Sequence, residues 1–270
     1  MSRTLAAFAC IAALGAAGAV AQSSTRAPQP SREIAAAVAS KDRTPANVAR
    51  DRHRHPAETL AFFGVRPTQT IVEFIPGGGW YTEILAPLTK GRGKYVALVP
   101  TSQAERAKTM LSGKAALFGP AEVATMDFAT GASTLAPNSA DVILTFRNVH
   151  NLLMQDNAAV PANAFKAFYA ALKPGGTLGV VDHRLPEEMD SAKEKSSGYI
   201  KRSTVVRLAT EAGFRLAGES AVNANPKDTH DHPEGVWTLP PNLRLKDVDR
   251  AKYEAIGESD RFTLKFVKPA

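Results

Sequence analysis

The chain has one cysteine, Cys10, and that residue sits in an alanine-rich apolar stretch near the N-terminus. Charge of one sign does not accumulate either. The formal balance is +7, aromatics make up 7% of residues, and no long run alternates basic with aromatic side chains as a nucleic-acid surface would, so no nucleic-acid partner is expected. Arg50, Arg52, His53, Arg54 and His55 form the one local basic cluster, which reads as a solvated lead-in or, alternatively, as a substrate contact. No GxSxG string occurs, which argues against a hydrolase built on a nucleophile elbow. A dinucleotide-binding GxGxxG is incomplete, because Thr82 stands where its third glycine belongs. Tyr169 and Lys173 match the YxxxK spacing of short-chain reductases, but no serine lies between Ser139 and Ser191, so the pair reads as an ordinary helix end.

Arg3 supplies a positive start, Leu5 to Val20 is apolar, and Ala19, Val20 and Ala21 form a small-residue cleavage site before Gln22. This pattern predicts a secretory signal peptide over residues 1–21, too short for a membrane span, and a periplasmic mature chain without stable membrane insertion. The apolar run before Cys10 is too short for a lipoprotein signal. Cleavage removes the cysteine, which excludes disulfides and thiol chemistry from the mature chain. It leaves 32 basic against 26 acidic residues, or +6, a balance suited to an anionic substrate or an anionic surface.

The stretch Thr70 to Leu88 organises the rest. Thr70 to Ile75 is β-branched and aromatic with one acid, Glu73, as a buried parallel strand reads. Pro76, Gly77, Gly78 and Gly79 follow, which permit positive φ and leave no Cβ between main chain and ligand. Trp80 to Leu88 resumes as a helix. A strand, a glycine turn and a helix N-terminus together aim free N–H groups at whatever lies above the turn.

An acid followed by glycines in this frame resembles the first cofactor-binding motif of class I S-adenosylmethionine-dependent methyltransferases. Glu73 matches the motif's acid, Gly77 and Gly79 match its second and third glycines, and Ile75 stands in place of the first. The longer string PGGGWYTEILAP, with RHPAETLAFFGVRP before it and DRFTLKFVKP at the C-terminus, is similar to an exported branch of predicted bacterial methyltransferases. That likeness runs from about His53 to the end. It implies a Rossmann-like three-layer α/β sandwich with a mostly parallel seven-stranded sheet whose last strand is antiparallel. It also implies S-adenosylmethionine as cofactor, with Glu73, Pro76, Gly77, Gly78, Gly79 and Tyr81 around the donor. Asp127 and Phe128, after the predicted third strand Glu122 to Met126, match the superfamily's adenine site. In that superfamily the second strand ends in a ribose-binding acid; here Val99 and Pro100 occupy the place, leaving Thr101, Ser102 or Gln103 to take over, or a different cofactor or none.

Along the rest of the chain, Gln22 to Pro30 reads as a disordered leader, and Ser31 as the N-cap of a helix through Ser40. Residues 22–55 form a leader and helical extension and 56–270 the main domain, opening with a helix from Pro56 to Phe63 stopped by Gly64. Asp141 to Phe146 reads as the fourth strand, followed by Arg147, Asn148, Val149 and His150. A helix over Ala162 to Lys173, closed by Pro174, Gly175 and Gly176, leads to the fifth strand, Thr177 to Val181, followed by Asp182, His183 and Arg184. Open α/β sheets bind ligands at such strand ends. His150 or His183 is therefore the candidate base, with Arg147 and Asn148 orienting the acceptor. Ser203 is predicted to cap a helix through Ala212, and Arg215 to Asn223 and Phe262 to Val267 form the last strand pair. The proline-rich segment Asn225 to Asp260 between them reads as a lid, a binding loop or a disordered stretch.

These features predict methyl transfer to a small-molecule acceptor, with no resident metal. Two alternatives stand beside it. One is a non-catalytic periplasmic binding protein that keeps the methyltransferase fold. The other is a metal-binding protein using His230 and His232 with Asp228 and Asp231, joined by His53 and His55.

Overall fold

A computed structural model of the chain describes residues 28–270; the expected signal peptide, with Cys10 and the cleavage site, and most of the leader lie outside the described residues. The strands are β1 (Thr70–Phe74), β2 (Lys94–Pro100), β3 (Glu122–Met126), β4 (Ala140–Phe146), β5 (Leu172–Leu185), β6 (Ile200–Lys201), β7 (Arg215–Ser220) and β8 (Arg261–Val267). They form one sheet in the order β3-β2-β1-β4-β5-β8-β7, with β6 added on β5. Neighbours from β3 through β5 pair in parallel, whereas β8 runs antiparallel to both β5 and β7. This is the expected sheet with one short strand more. No helix among the described residues is long and apolar enough to cross a membrane.

Alternation along the strands divides the core between two faces. Val72, Phe74, Val96 and Leu98 point to the side covered by helices Val160–Ala171 and Arg202–Glu211, while Ile71, Tyr95, Ala97 and Leu144 point to the side covered by Arg32–Val38, Pro56–Phe63 and Thr82–Thr89. At Gly179 a Cβ would come within 2.8 Å of the Phe63 ring and 2.7 Å of Leu144, so glycine is what lets the Pro56–Phe63 helix seat on β5.

Several boundaries differ from expectation for identifiable reasons. The helix after the glycine turn begins at Thr82, because Gly77 and Gly79 hold positive φ and Trp80 and Tyr81 are still part of the turn. Pro174, Gly175 and Gly176 do not separate helix from strand. They form a bulge inside β5, whose pairing with β4 jumps from Ala140–Leu172 to Val142–Thr177. The strand also continues past Val181 to Leu185, and that overhang is the edge on which β6 pairs. Ser203 is not a cap: it lies in the first turn of its helix, where its N–H and hydroxyl donate to Glu187. Ser31 does cap the first helix, accepting from the Ile34 N–H.

Residues 32–55 pack against the domain. Trp80 Nε1 donates to the Asn47 carbonyl at 2.9 Å, and the guanidinium carbons of Arg43 and Arg54 lie 5.3 and 4.7 Å from its ring centre. The Glu83 carboxylate accepts from Thr44, Asn47 and Lys114. The segment before β8 is folded as well, with a 3-10 turn at Gly235–Thr238 and a helix at Arg250–Ile256.

Candidate active site

A cavity of about 330 Å³ opens over the C-terminal ends of β1, β4 and β5. That volume lies at the small end of the roughly 300–1,000 Å³ typical of ligand pockets. The glycine turn contributes Glu73, Gly77 and Gly78; the ends of β4 and β5 contribute Arg147, Asn148, His150 and His183. Trp237 and the Pro240–Pro241 pair line the cavity as well, so the segment before β8 contributes to it. Arg50, Arg54, Glu258 and Arg261 close the remaining side.

The backbone is strained where β1 and β4 end. Ile75 has φ 49° and Arg147 has φ 61°, left-handed values that a β-branched residue adopts only under constraint. Ile75 therefore takes the conformation that the motif's missing glycine would have supplied. The constraint is visible: Ile75 N–H donates to the Leu98 carbonyl at 2.8 Å, and Asn148 Nδ2 contacts the carbonyls of Phe74, Ile75 and Phe146 at 3.0, 3.2 and 3.3 Å. Asn148 thus ties two strand ends together, and its amide donors are spent on backbone. It also lines the cavity, so the part of it left for a bound molecule is the side-chain oxygen.

Glu73 is buried beneath the glycine turn. Its Oε2 accepts from the Tyr95 hydroxyl at 2.6 Å and from the Thr82 hydroxyl at 2.9 Å. Thr82 opens the following helix, so the acid ties strand, turn and helix together. Burial pushes its carboxyl up to about 7, with the two hydroxyls and Arg147 opposing. A Cβ built on Gly77 or Gly78 would meet nothing within 4 Å, whereas one on Gly79 would lie 3.2 Å from Met110 Sδ. Gly77 and Gly78 line the cavity; Gly79 packs against the helix Ala104–Ser112. Tyr81 stacks on Phe146 with ring centres 3.5 Å apart, and burial pushes its hydroxyl up to about 12.

His150 and His183 come together from two adjacent strand ends, with ring centres 5.0 Å apart. His150 Nδ1 lies 2.7 Å from Asp182 Oδ1. The Asp182 carboxylate also accepts three backbone N–H groups, from Val149, His150 and His183. A carboxylate accepting at both oxygens orients the imidazole with Nδ1–H toward it and leaves Nε2 as the ring's hydrogen-bond acceptor. His183 Nδ1 is paired with the Ser259 hydroxyl, and burial, followed by its charged neighbours, holds its pKa well below the usual histidine range. Asp182 is 0% exposed; its place at a strand end drew attention to it, but nothing local revealed its pairing with His150.

Among the described residues, His150, Asp182 and His183 are the one cluster whose atoms approach metal-site distances, within 4.8 Å of one another. Asp182 already accepts four hydrogen bonds, and the guanidiniums beside the cavity repel a cation. The histidine pairs proposed for metal do not converge. His230 pairs with Asp260 at 3.3 Å, His232 with Asp228 at 2.9 Å, and His53 lies instead beside Gly257. Both aspartates also accept backbone N–H groups within the segment before β8.

Asp127 and Phe128 are not part of the cavity lining. Asp127 caps its own turn, accepting from the Thr130 N–H at 2.9 Å, and Phe128 packs 6.0 Å from Phe74. Thr101, Ser102 and Gln103 are exposed in a 3-10 turn at the end of β2. The basic cluster is solvated only in part: Arg52 is exposed, but Arg54 is 2% exposed and reaches Glu258, 204 residues away in sequence. Glu258 accepts from Arg50 at 2.6 Å, from Arg54 at 3.0 Å and from Arg261. No sequence signal near Glu258 singled it out.

No protein-family model and no curated protein matches the chain. Solved structures do. An S-adenosylmethionine-dependent methyltransferase from Aquifex aeolicus superposes with TM-score 0.55 at 15% identity, covering 82% of this chain and 93% of that one. An arsenic(III) S-adenosylmethionine methyltransferase from Chlamydomonas reinhardtii gives 0.54 at 15% identity, over 90% of this chain and 75% of the other. The [4+2]-cyclase SpnF gives 0.55, also at 15%, over 78% and 79%. At such identities the likeness is one of fold, and it establishes the Rossmann-like methyltransferase architecture.

Proposed function

We propose that the chain is an S-adenosylmethionine-dependent methyltransferase acting on a small-molecule acceptor. One juxtaposition carries the reading: an open glycine turn at the end of β1 faces, across one cavity, an imidazole oriented by a buried carboxylate at the ends of β4 and β5. The bound donor would supply an electrophilic methyl group for in-line transfer. Gly77 and Gly78 would lie against its methionine part, since they leave room where side chains would stand. Glu73 would keep the turn in place through Thr82. His150 would take a proton from the acceptor at Nε2, and Asp182 would stabilise the imidazolium that results. His183, with its pKa depressed, would remain neutral beside it. The segment before β8, which lines the cavity through Trp237, Pro240 and Pro241, would act as a lid and exclude water. Asp127 and Phe128 lie at the end of β3, outside the cavity, and would receive the adenine end. Export to the periplasm through residues 1–21 belongs to the same proposal, and the mass of the exported chain tests it.

The deciding experiment is calorimetric titration with S-adenosylhomocysteine, in wild type and Gly78→Val. Gly78 has no positive φ and no neighbour where its Cβ would be, so the variant is expected to fold. It should bind more than tenfold more weakly, or by about 1.4 kcal/mol. Undetectable binding to the wild type, or equal affinity in both proteins, sinks the proposal. Gly79 is a poorer position for the test, because its φ of 84° and its contact with Met110 would confound binding with stability.

A second reading, a binding module without turnover, draws on one observation. The end of β2 offers Val99 and Pro100 where a ribose-binding acid belongs. Tight product binding without methyl transfer to any acceptor would favour it.

A further inference from the structure

Guanidinium groups are concentrated in the lining of this cavity. Arg50, Arg54, Arg147 and Arg261 all line it, and the acids among the lining residues are Glu258 and Glu73. Glu258 is shared by Arg50, Arg54 and Arg261. Glu73 is turned to Tyr95 and Thr82. Positive charge is therefore in excess whichever protonation state Glu73 takes. Several donors also lack acceptors among the described residues. Arg54 uses its Nε on Glu258, but its Nη1 and Nη2 are buried without a partner, as is Nη2 of Arg50. Arg147, in the same lining, makes its one hydrogen bond to protein among the described residues through its backbone N–H, which donates to the Val181 carbonyl.

Buried unpaired guanidinium N–H groups are costly, and a cluster of them facing one cavity calls for an acceptor-rich anion. The methyl donor does not meet that need. Its sulfonium and ammonium outweigh its one carboxylate, so bound donor adds positive charge to the site. The balancing anion must come with the other substrate. On the methyltransferase reading above, we infer that the methyl acceptor carries an oxyanion group, a carboxylate or a phosphate, seated between Arg54 and Arg147. Planar guanidiniums with paired donors suit both groups in bidentate fashion. The anion would hold the acceptor so that its nucleophile meets the methyl group near His150, which lines the same cavity.

The test is titration of the full mature chain with inorganic phosphate and, separately, malonate, at ionic strength held constant with chloride. Wild type should bind at least one of them saturably. Arg147→Gln, which breaks no side-chain hydrogen bond or ion pair among the described residues, and Arg54→Gln should each weaken binding at least tenfold. Arg207→Gln should not, because Arg207 sits on an exposed helix face paired with Glu211. Circular dichroism checks that each variant is folded, and Arg147→Gln carries the test should Arg54→Gln fail to fold. No saturable binding of either probe, or equal weakening in all three variants, overturns the inference. A second titration with S-adenosylhomocysteine present identifies the owner of the site. Simultaneous binding supports assignment to the acceptor, whereas stoichiometric displacement of the anion assigns the arginines to the donor's own carboxylate and overturns it. Anion binding without any S-adenosylhomocysteine binding would leave the oxyanion site standing and remove the methyltransferase reading.

Discussion

Glu73 and Glu258 face the same cavity, share a side-chain type and are each 3% exposed, yet they titrate in opposite directions. Glu73 lies among hydroxyls, and burial pushes it up to about 7 from an ordinary 4.5. Glu258 is desolvated as well, but Arg261, Arg54 and Arg50 outweigh burial and hold it well below the carboxylate range. Burial alone thus predicts neither the sign of the shift nor the state of the group; the partners decide. One wall of the cavity holds a carboxyl poised near neutrality, the other a locked anion.

The sharpest way to break this contrast is Glu258→Ala. It leaves three guanidiniums around a vacated position, and unfolding free energy should fall by about 3–5 kcal/mol, read from urea midpoints at pH 7. A loss below about 1 kcal/mol would mean that the arginines are solvated and the locked-anion description is wrong.

Glu73→Gln tests the other wall through pH. Between 4.5 and about 7 folded Glu73 keeps a proton that the unfolded chain releases, so wild-type stability should fall as pH rises through that window. The slope is at most about 1.4 kcal/mol per pH unit. Glu258 acts in the reverse sense, contributing stability above 4.5 that is lost as pH falls. The glutamine variant should lose the neutral-range slope and keep the acid one. An unchanged profile from pH 5 to 7 would show that Glu73 is not the titrating group.

Tyr95→Phe removes the shorter of the two hydrogen bonds to Glu73. The cost should be about 1–2 kcal/mol, larger at pH 8, where the carboxylate is ionised, than at pH 5. Equal costs at both values would detach the tyrosine from the titration. Smallest of all should be Arg207→Ala, which breaks an exposed i,i+4 pair and should change stability by less than about 0.5 kcal/mol. A larger effect there would mean that the contrast between walls reflects arginine removal in general.

The glycine-turn wall was largely legible in the sequence and the arginine wall was not. β3 runs from Glu122 to Met126 as its residues predict, and the helix Pro56–Phe63 stops at Gly64 as glycine chemistry requires. Such signals are local, set by periodicity and by residues that fix φ. His150 and His183 could be placed on one sheet edge because strand order carries them there. Glu258 and Arg50 meet across 208 residues, and neither carries a local mark of the other. Ile75 misled in the opposite way: its side chain departs from the expected glycine, but its backbone does not. A motif written in residue types misses a conformation that neighbouring hydrogen bonds impose.

The chain has two tryptophans, and both Trp80 and Trp237 line this one cavity. Arg54 lies 4.7 Å from the ring centre of the first and Arg244 the same distance from the second. Indole emission responds to nearby charge and to water, and no tryptophan elsewhere contributes a background. The intrinsic fluorescence of the protein is therefore a native optical gauge of the cavity. It will register a molecule entering beneath the lid without any attached dye, even before the chemical identity of that molecule is known.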